Sequence, residues 1–139
     1  MQSESSRPVE QVDWNTLLAP YRHPVPWKSV FQLVNTVLLL GAFWFAMLWS
    51  LEVGYWLTLL LTPLAALMVV RLFMLQHDCG HGSFFRSRRA NNVVGSVLGV
   101  FTLVPYAYWR RTHSLHHATS GNLEARGFGD IDKIGRAHV

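Results

Sequence analysis

The chain contains the run VLLLGAFWFAMLWS at Val37–Ser50, inside a longer stretch, Ser29–Leu51, that has no charged residue. A helix that crosses a bilayer needs about 20 apolar residues, so this stretch predicts a membrane span at about 30–50. Only 14% of the 139 residues are charged, whereas a soluble domain carries about 25%. Composition and pattern together favour an integral membrane protein.

A second apolar run, Tyr55–Leu75, is interrupted only by Arg71. Pro63 would kink this helix, a distortion that membrane helices tolerate. Arg71 lies near the far end of the run, from where its long side chain can reach the membrane interface. A short connection around Glu52 joins the two runs. The sequence therefore predicts a transmembrane hairpin of two helices.

Basic residues flank the hairpin on both outer sides, and the connection between its helices has no Lys or Arg. The flanking residues are Arg7, Arg22 and Lys28 before the hairpin and Arg86, Arg88, Arg89, Arg110 and Arg111 after it. Cytoplasmic loops are enriched in such residues, so both ends of the hairpin are expected in the cytoplasm. A solvated membrane-surface loop would carry the same charges, which therefore indicate topology and not catalysis. Residues 1–28 lack the apolar segment of a signal peptide and are expected to form a cytoplasmic N-terminal segment before an uncleaved anchor.

Five of the seven histidines fall into two clusters, HDCGH at 77–81 and HSLHH at 113–117, and each cluster follows an apolar segment. Residues four apart share one face of a helix. His77 and His81 can therefore converge on one metal ion, and so can His113 and His117, with His116 beside that face. Imidazoles bind Zn, Cu, Fe and Ni, and a site of imidazoles without thiolates favours a redox-active iron centre over structural zinc.

Other residues with metal-binding chemistry are isolated. Cys79 is the single cysteine, which excludes an internal disulfide and argues against a thiolate site. Asp78 and Asp130 are candidate acceptors for the N–H groups of ligating histidines. His23 and His138 stand alone and are expected to be ordinary surface or core residues.

A third charge-free run, Asn91–Trp109, separates the two clusters and is diluted by Gly, Pro and Asn. If both clusters bind one metal centre, they lie on the same side of the membrane. Two crossings between them would need about 40 residues, and only 31 separate His81 from His113. The run should therefore be interfacial or re-entrant. The expected fold is all-α: the hairpin, this interfacial or re-entrant helix, and cytoplasmic helices that carry the histidines.

The segments HDCGHGSFF (His77–Phe85) and RRTHSLHHATSGNLEARGFGDID (Arg110–Asp132) resemble the membrane fatty acid desaturases, especially bacterial relatives of the acyl-lipid type. The resemblance extends over roughly 21–132. That family has four membrane spans and three histidine boxes, of which this chain shows an HxxxH box and an HxxHH box.

The resemblance implies a non-haem di-iron centre that activates O2 and introduces a cis double bond into a fatty acyl chain. The iron ligands that it implies are His77, His81, His113, His116 and His117. The implied partners are a fatty acyl lipid substrate, membrane lipid and an electron donor such as ferredoxin or cytochrome b5, with no nucleic acid. The implied location is a bacterial inner membrane with the histidine boxes in the cytoplasm. The chemistry agrees, because an unactivated methylene C–H gives side chains nothing to act on and the hard step belongs to the metal.

The family's third histidine box and later spans do not occur in these 139 residues. We therefore expect residues 29–132 to be the N-terminal part of a desaturase domain, inactive by itself. The peptide IGRAHV at 134–139 is what a common sequencing adapter encodes when translated, so residues 133–139 are expected to be an artefactual tail.

Two alternatives remain open at the level of sequence. Alkane hydroxylases and carotenoid hydroxylases or ketolases belong to the same histidine-box superfamily and differ in substrate. A non-enzymatic membrane metal-binding protein is the alternative of another class. It predicts metal ligands along a path through the bilayer, whereas these histidines cluster outside the apolar runs.

Overall fold

The computed structural model describes residues 13–21, 23–120 and 122, which contain helices and no strand. The elements are α1 (Trp14–Leu18), a 3-10 turn (Ala19–Tyr21), α2 (Pro26–Ser50), α3 (Tyr55–His81), α4 (Arg88–Phe101) and α5 (Tyr106–Thr119). The expected all-α architecture is confirmed. Expectations that involve Arg7, Arg22, Asp130 and residues 133–139 lie outside the described residues, and the proposed domain boundaries stay predictions.

Helices α2 and α3 form the expected hairpin, and both are long and apolar enough to cross a membrane. Their 25 and 27 residues correspond to roughly 38 and 40 Å at 1.5 Å per residue. Pro26 opens α2 at a position where its missing N–H removes no helical bond. At the turn, the buried Ser50 hydroxyl lies 2.7 Å from the Thr58 hydroxyl and ties the two helices together.

The length of α3 explains why the first histidine cluster lies outside the apolar run. The hydrocarbon core of a bilayer is about 30 Å thick, so about seven residues of this helix extend beyond it. The sequence pattern ended the span at Leu75, but the helix continues through Pro63 and on to His81. Gly82 then ends it in a left-handed conformation, with φ of 71°, which glycine adopts without steric cost.

Helices α4 and α5 meet at 107°, so the third apolar run does not form one straight span. The buried side chains of Leu98 on α4 and Leu72 on α3 belong to the same apolar core. Gly99 allows the sharp turn, since a Cβ there would lie 2.6 Å from the carbonyl oxygen of Val104. The bent pair agrees with an interfacial or re-entrant position, which stays a prediction.

A buried polar contact attaches this bend to the end of α3. The Gln76 side chain is fully buried. Its Oε1 accepts a 2.5 Å hydrogen bond from the Thr102 hydroxyl, and its Nε2 donates to the Val104 carbonyl at 3.5 Å. A buried amide without partners would be costly. Gln76, which immediately precedes His77, therefore fixes the segment before α5 relative to the end of α3.

The loop between α3 and α4 is held by Asn91, which is buried on α4. Its Oδ1 accepts from the Phe85 backbone N–H at 2.9 Å, and its Nδ2 donates to the Phe85 carbonyl at 2.7 Å. Ser29 at the start of α2 donates to the Phe84 carbonyl at 2.5 Å. The three helices are thus joined at the histidine-bearing end of the hairpin.

The arrangement predicts the membrane topology of three exposed positions. Single cysteines introduced at Ser83 and Ser114, in a Cys79→Ser background, should react with a membrane-impermeant maleimide from the same side of sealed vesicles. A cysteine at Val53, in the hairpin turn, should react only from the other side. Labelling of positions 83 and 114 from opposite sides would contradict the bent pair.

Candidate metal centre

The two histidine pairs meet in space although they come from different helices. His77 and His81 lie on the last turn and a half of α3, and His113 and His117 lie on α5. One ring nitrogen from each of the four lies within 4.8 Å of the others. The convergence that the i, i+4 spacing predicts is therefore present.

The spacing of the four rings suits one metal ion. The Nε2 atom of His81 lies 3.3 Å from that of His77 and 3.1 Å from that of His113. The Nε2 atoms of His113 and His117 are 3.0 Å apart. Imidazoles that coordinate one ion at about 2.0–2.1 Å, at angles between octahedral and tetrahedral, have nitrogens about 2.8–3.4 Å apart. The donor set therefore fits a transition-metal ion.

His116 lies beside this group and not within it. Its ring centroid is 6.2 Å from that of His113 and 5.8 Å from that of His117. The family resemblance implies all five histidines as iron ligands, and the structure brings four of them together in one group. His116 faces differently because it lies about 60° around the helix from His113 and about 100° from His117.

Burial favours the neutral form of the central imidazole. It lowers the pKa of His113 below the usual 6.5, and the neighbouring His77, His117, His81 and His116 lower it further by electrostatic repulsion. A neutral imidazole is the form that binds metals. The cluster thus disfavours the protonated state that would compete with an ion.

The structure describes three of the other candidate residues, Asp78, Cys79 and His23. Asp78 Oδ1 lies 3.5 Å from Nδ1 of His77, on the side of the ring away from the four-nitrogen cluster. Cys79 is buried in the apolar core, and His23 is exposed. Neither Cys79 nor His23 belongs to the four-histidine group.

Trp109 is a site residue that the sequence reasoning missed. Its ring stacks on His113, with centroids 4.6 Å apart and planes at 16°. It also lies 5.6 Å from the His77 ring and contacts Phe73 edge-on at 5.5 Å. The available signal was its position, because Trp109 precedes His113 by four residues and shares its helix face.

Gly80 explains how α5 approaches α3 closely enough for the histidines to meet. A Cβ at this position would lie 2.7 Å from Cζ3 of Trp109, well inside van der Waals contact. The absence of a side chain therefore lets the indole lie against α3 next to both histidine pairs. The glycine within HDCGH has a packing role.

The fold and this site define a helical membrane protein with four histidines that could hold a metal ion at the end of an apolar helical hairpin. The model of the family described as fatty acid desaturase matches residues 54–132, more than half of the chain. The chain belongs to the fatty acid desaturase family.

Similar proteins come from bacteria and plants. The chain is 46% identical over 114 residues to a fatty acid desaturase of Bacillus subtilis, a match that covers 82% of this chain and 32% of that protein. It is 38% identical over 108 residues to an Arabidopsis thaliana protein named sn-2 acyl-lipid omega-3 desaturase (ferredoxin), covering 71% of this chain and 22% of that one. A Synechocystis sn-1 acyl-lipid omega-3 desaturase (ferredoxin) is 49% identical over 53 residues, 38% of this chain and 15% of the relative.

The chain thus spans about a third or less of the length of these relatives. No solved structure matches it significantly.

The packing of Trp109 on Gly80 gives a test of the site. Gly80→Ala should displace the indole and lower the affinity for Fe²⁺ or Co²⁺ by roughly 10–100-fold, the range found when groups that orient metal ligands are changed. Isothermal titration of the purified protein measures this. Gly41→Ala is the matched control, because nothing lies within 4 Å of its added Cβ. Unchanged metal affinity in Gly80→Ala would contradict the assigned role.

Proposed function

We propose that the complete polypeptide is an O2-dependent fatty acyl desaturase whose non-haem di-iron centre is held by these histidines. The observation that carries the proposal is the convergence of His77, His81, His113 and His117 at the end of an apolar hairpin. Membership of the fatty acid desaturase family supports the reaction.

The ligand assignment follows the geometry. His77, His81, His113 and His117 would hold one iron, because their nitrogens already have the spacing of a single coordination sphere. His116 would serve the second iron together with groups from beyond the described residues. Iron supplies the activation of O2 that no side chain can perform.

The neighbouring residues orient the ligands. Asp78 Oδ1 lies 3.5 Å from Nδ1 of His77, with no hydrogen bond between them in this structure; a proton on that nitrogen would leave Nε2 free for the metal. Trp109 restricts rotation of the His113 ring by stacking on it. Gln76 keeps the bend between α4 and α5 attached to α3. Together these contacts preserve the positions of both histidine pairs.

An apolar groove between α2, α3 and α4 suits the hydrocarbon tail of the substrate. Its volume is about 500 Å³, within the usual range of ligand pockets. Leu33 and Val37 of α2, Leu72 of α3 and Val97 of α4 are among its lining residues. Leu72 precedes His77 by five residues, about 7.5 Å along the helix axis. A hydrocarbon tail in this groove would therefore lie within about 10 Å of the histidine cluster, measured along the axis of α3.

The electron donor and the orientation are further parts of the proposal. The names of the Arabidopsis and Synechocystis relatives include ferredoxin, which supports a ferredoxin-type donor over cytochrome b5. The arginines that follow α3 support a cytoplasmic position for the histidines, here in a bacterial inner membrane.

Expression of the full-length protein in a host without polyunsaturated lipids tests the reaction. The wild-type protein should yield cis-unsaturated acyl chains and bind iron. His113→Ala should abolish the product and most of the bound iron, since this ring contacts two other ligands. His23→Ala, which alters an exposed histidine outside the cluster, should retain both. A hydroxylated or ketolated product would refute desaturation.

The same expression system tests the role of His116. His116→Ala should lower the iron content from two ions per chain to about one and abolish desaturation, because the four-nitrogen group stays intact. Iron analysis by mass spectrometry gives the ratio. Two ions per chain in this variant would show that His116 is not a ligand.

A further inference from the structure

A second, polar pocket opens next to the histidine cluster. Its volume is about 480 Å³, and it lies between the end of α3, the start of α4 and the middle of α5. The side chains that give it its chemistry are Arg86, Arg88, Asn92, Arg110 and Ser114, with His81 on its wall. No acidic residue is among the residues that line it. We call this concavity the arginine pocket.

Arg110 is held in place before any ligand arrives. Its Nη1 donates a 2.5 Å hydrogen bond to Oδ1 of Asn92, and its guanidinium lies 5.9 Å from the centre of the Tyr106 ring. The Tyr106 hydroxyl donates to the same Asn92 oxygen at 3.5 Å. A guanidinium has five N–H donors, so these contacts orient it and leave further donors for an anion.

Arg88 lies where a cation does not stabilise the fold. It is the first residue of α4, and the first turn of this helix contains no acidic residue. The N-terminus of a helix carries a partial positive charge, so an arginine there is electrostatically unfavourable. The preference for basic residues at the cytoplasmic surface explains arginines in this loop. That preference does not explain why the arginines surround a pocket at a helix N-terminus. An anion bound there would be attracted both to the arginines and to the helix N-terminus, and would offset the repulsion between them.

The pocket is also at the right height for a lipid headgroup. It is formed by the last residues of α3, which extend about 10 Å beyond the hydrocarbon core of a 30 Å bilayer. The headgroup layer takes up roughly the first 5–8 Å of that distance, so the lipid phosphates would lie next to the membrane-facing side of the pocket. Guanidinium groups bind phosphate oxygens through paired, charge-assisted hydrogen bonds.

We propose that the arginine pocket binds the phosphate of a phospholipid headgroup, with Arg110 and Arg88 as its principal donors. Asn92 orients Arg110, and Ser114 offers a hydroxyl to the same ligand. The site needs no metal, so it can be tested independently of desaturation.

The experiment is a titration of the iron-free, full-length protein in detergent, followed by native mass spectrometry. The probes are phosphatidylglycerol, diacylglycerol with the same acyl chains, and inorganic phosphate. Phosphatidylglycerol should bind more tightly than either of the other two. Arg110→Gln and Arg88→Gln should each raise its dissociation constant about tenfold or more, as expected for the loss of a charge-assisted hydrogen bond.

Matched controls separate a site from general surface charge. Arg111→Gln and Arg89→Gln remove the same charge from adjacent residues that do not line the pocket, and each should change the dissociation constant less than twofold. Arg110→Lys keeps the charge but loses the paired geometry, and should weaken binding nearly as much as Arg110→Gln. Thermal unfolding checks that each variant is folded, and Arg88, which is exposed, provides a test that does not disturb the Asn92 contact.

Several outcomes would overturn the proposal. Equal losses in the control pair would show nonspecific attraction, and equal affinity for diacylglycerol would show that the phosphate is not recognised. Inorganic phosphate binding as tightly as the lipid would refute a lipid headgroup site. Unchanged lipid affinity, with reduction by an acidic ferredoxin impaired only in the Arg88 and Arg110 variants, would identify a protein-docking surface instead.

Discussion

The meeting of two histidine pairs from different helices is the constraint on which the rest of this structure depends. His81 on α3 and His113 on α5 lie 32 residues apart in sequence, yet their Nε2 atoms are 3.1 Å apart. The chain between them is apolar enough to enter a membrane but too short to cross it twice. It therefore folds as a bent pair of helices at 107°. The buried hydrogen bond to Gln76 holds this bent pair against α3. The absence of side chains at Gly80 and Gly99 lets α5 come close enough for the histidines to meet.

The local features of this fold were predictable from the sequence because they are periodic. Apolar stretches of membrane length predicted the hairpin, and the i, i+4 spacing predicted the two histidine pairs. The sequence predicted a span that ends near Leu75 and a helix that carries His77 and His81, but not that the two form one continuous helix, because hydropathy does not register a helix beyond the bilayer. The spacing also placed His116 beside the face of His113 and His117, but it could not show which groups His116 meets there, because spacing gives the face of a residue and not its neighbours.

Long-range packing accounts for the remaining gaps. That Trp109 lies against Gly80 depends on how α5 crosses α3, and no pattern within either helix reports a crossing. The angle between α4 and α5 likewise depends on Gln76, Thr102 and Val104. The result places an apolar groove, the histidine cluster and the arginine pocket along one end of the hairpin, with Leu72 in the first and His81 shared by the last two. The order of these three features, from the apolar groove to the arginine pocket, is the order of a phospholipid from its acyl tail to its headgroup.

X-ray absorption spectroscopy of the protein loaded with one equivalent of Co²⁺ tests most directly whether both helices supply ligands to one ion. The account predicts about four imidazole nitrogens around the cobalt in the wild-type protein. It also predicts about two fewer in a His113→Ala and His117→Ala double variant, with the vacated positions filled by water oxygens. An imidazole count unchanged in that variant would show that the ion is bound by α3 alone, and would contradict a centre shared between the two histidine pairs.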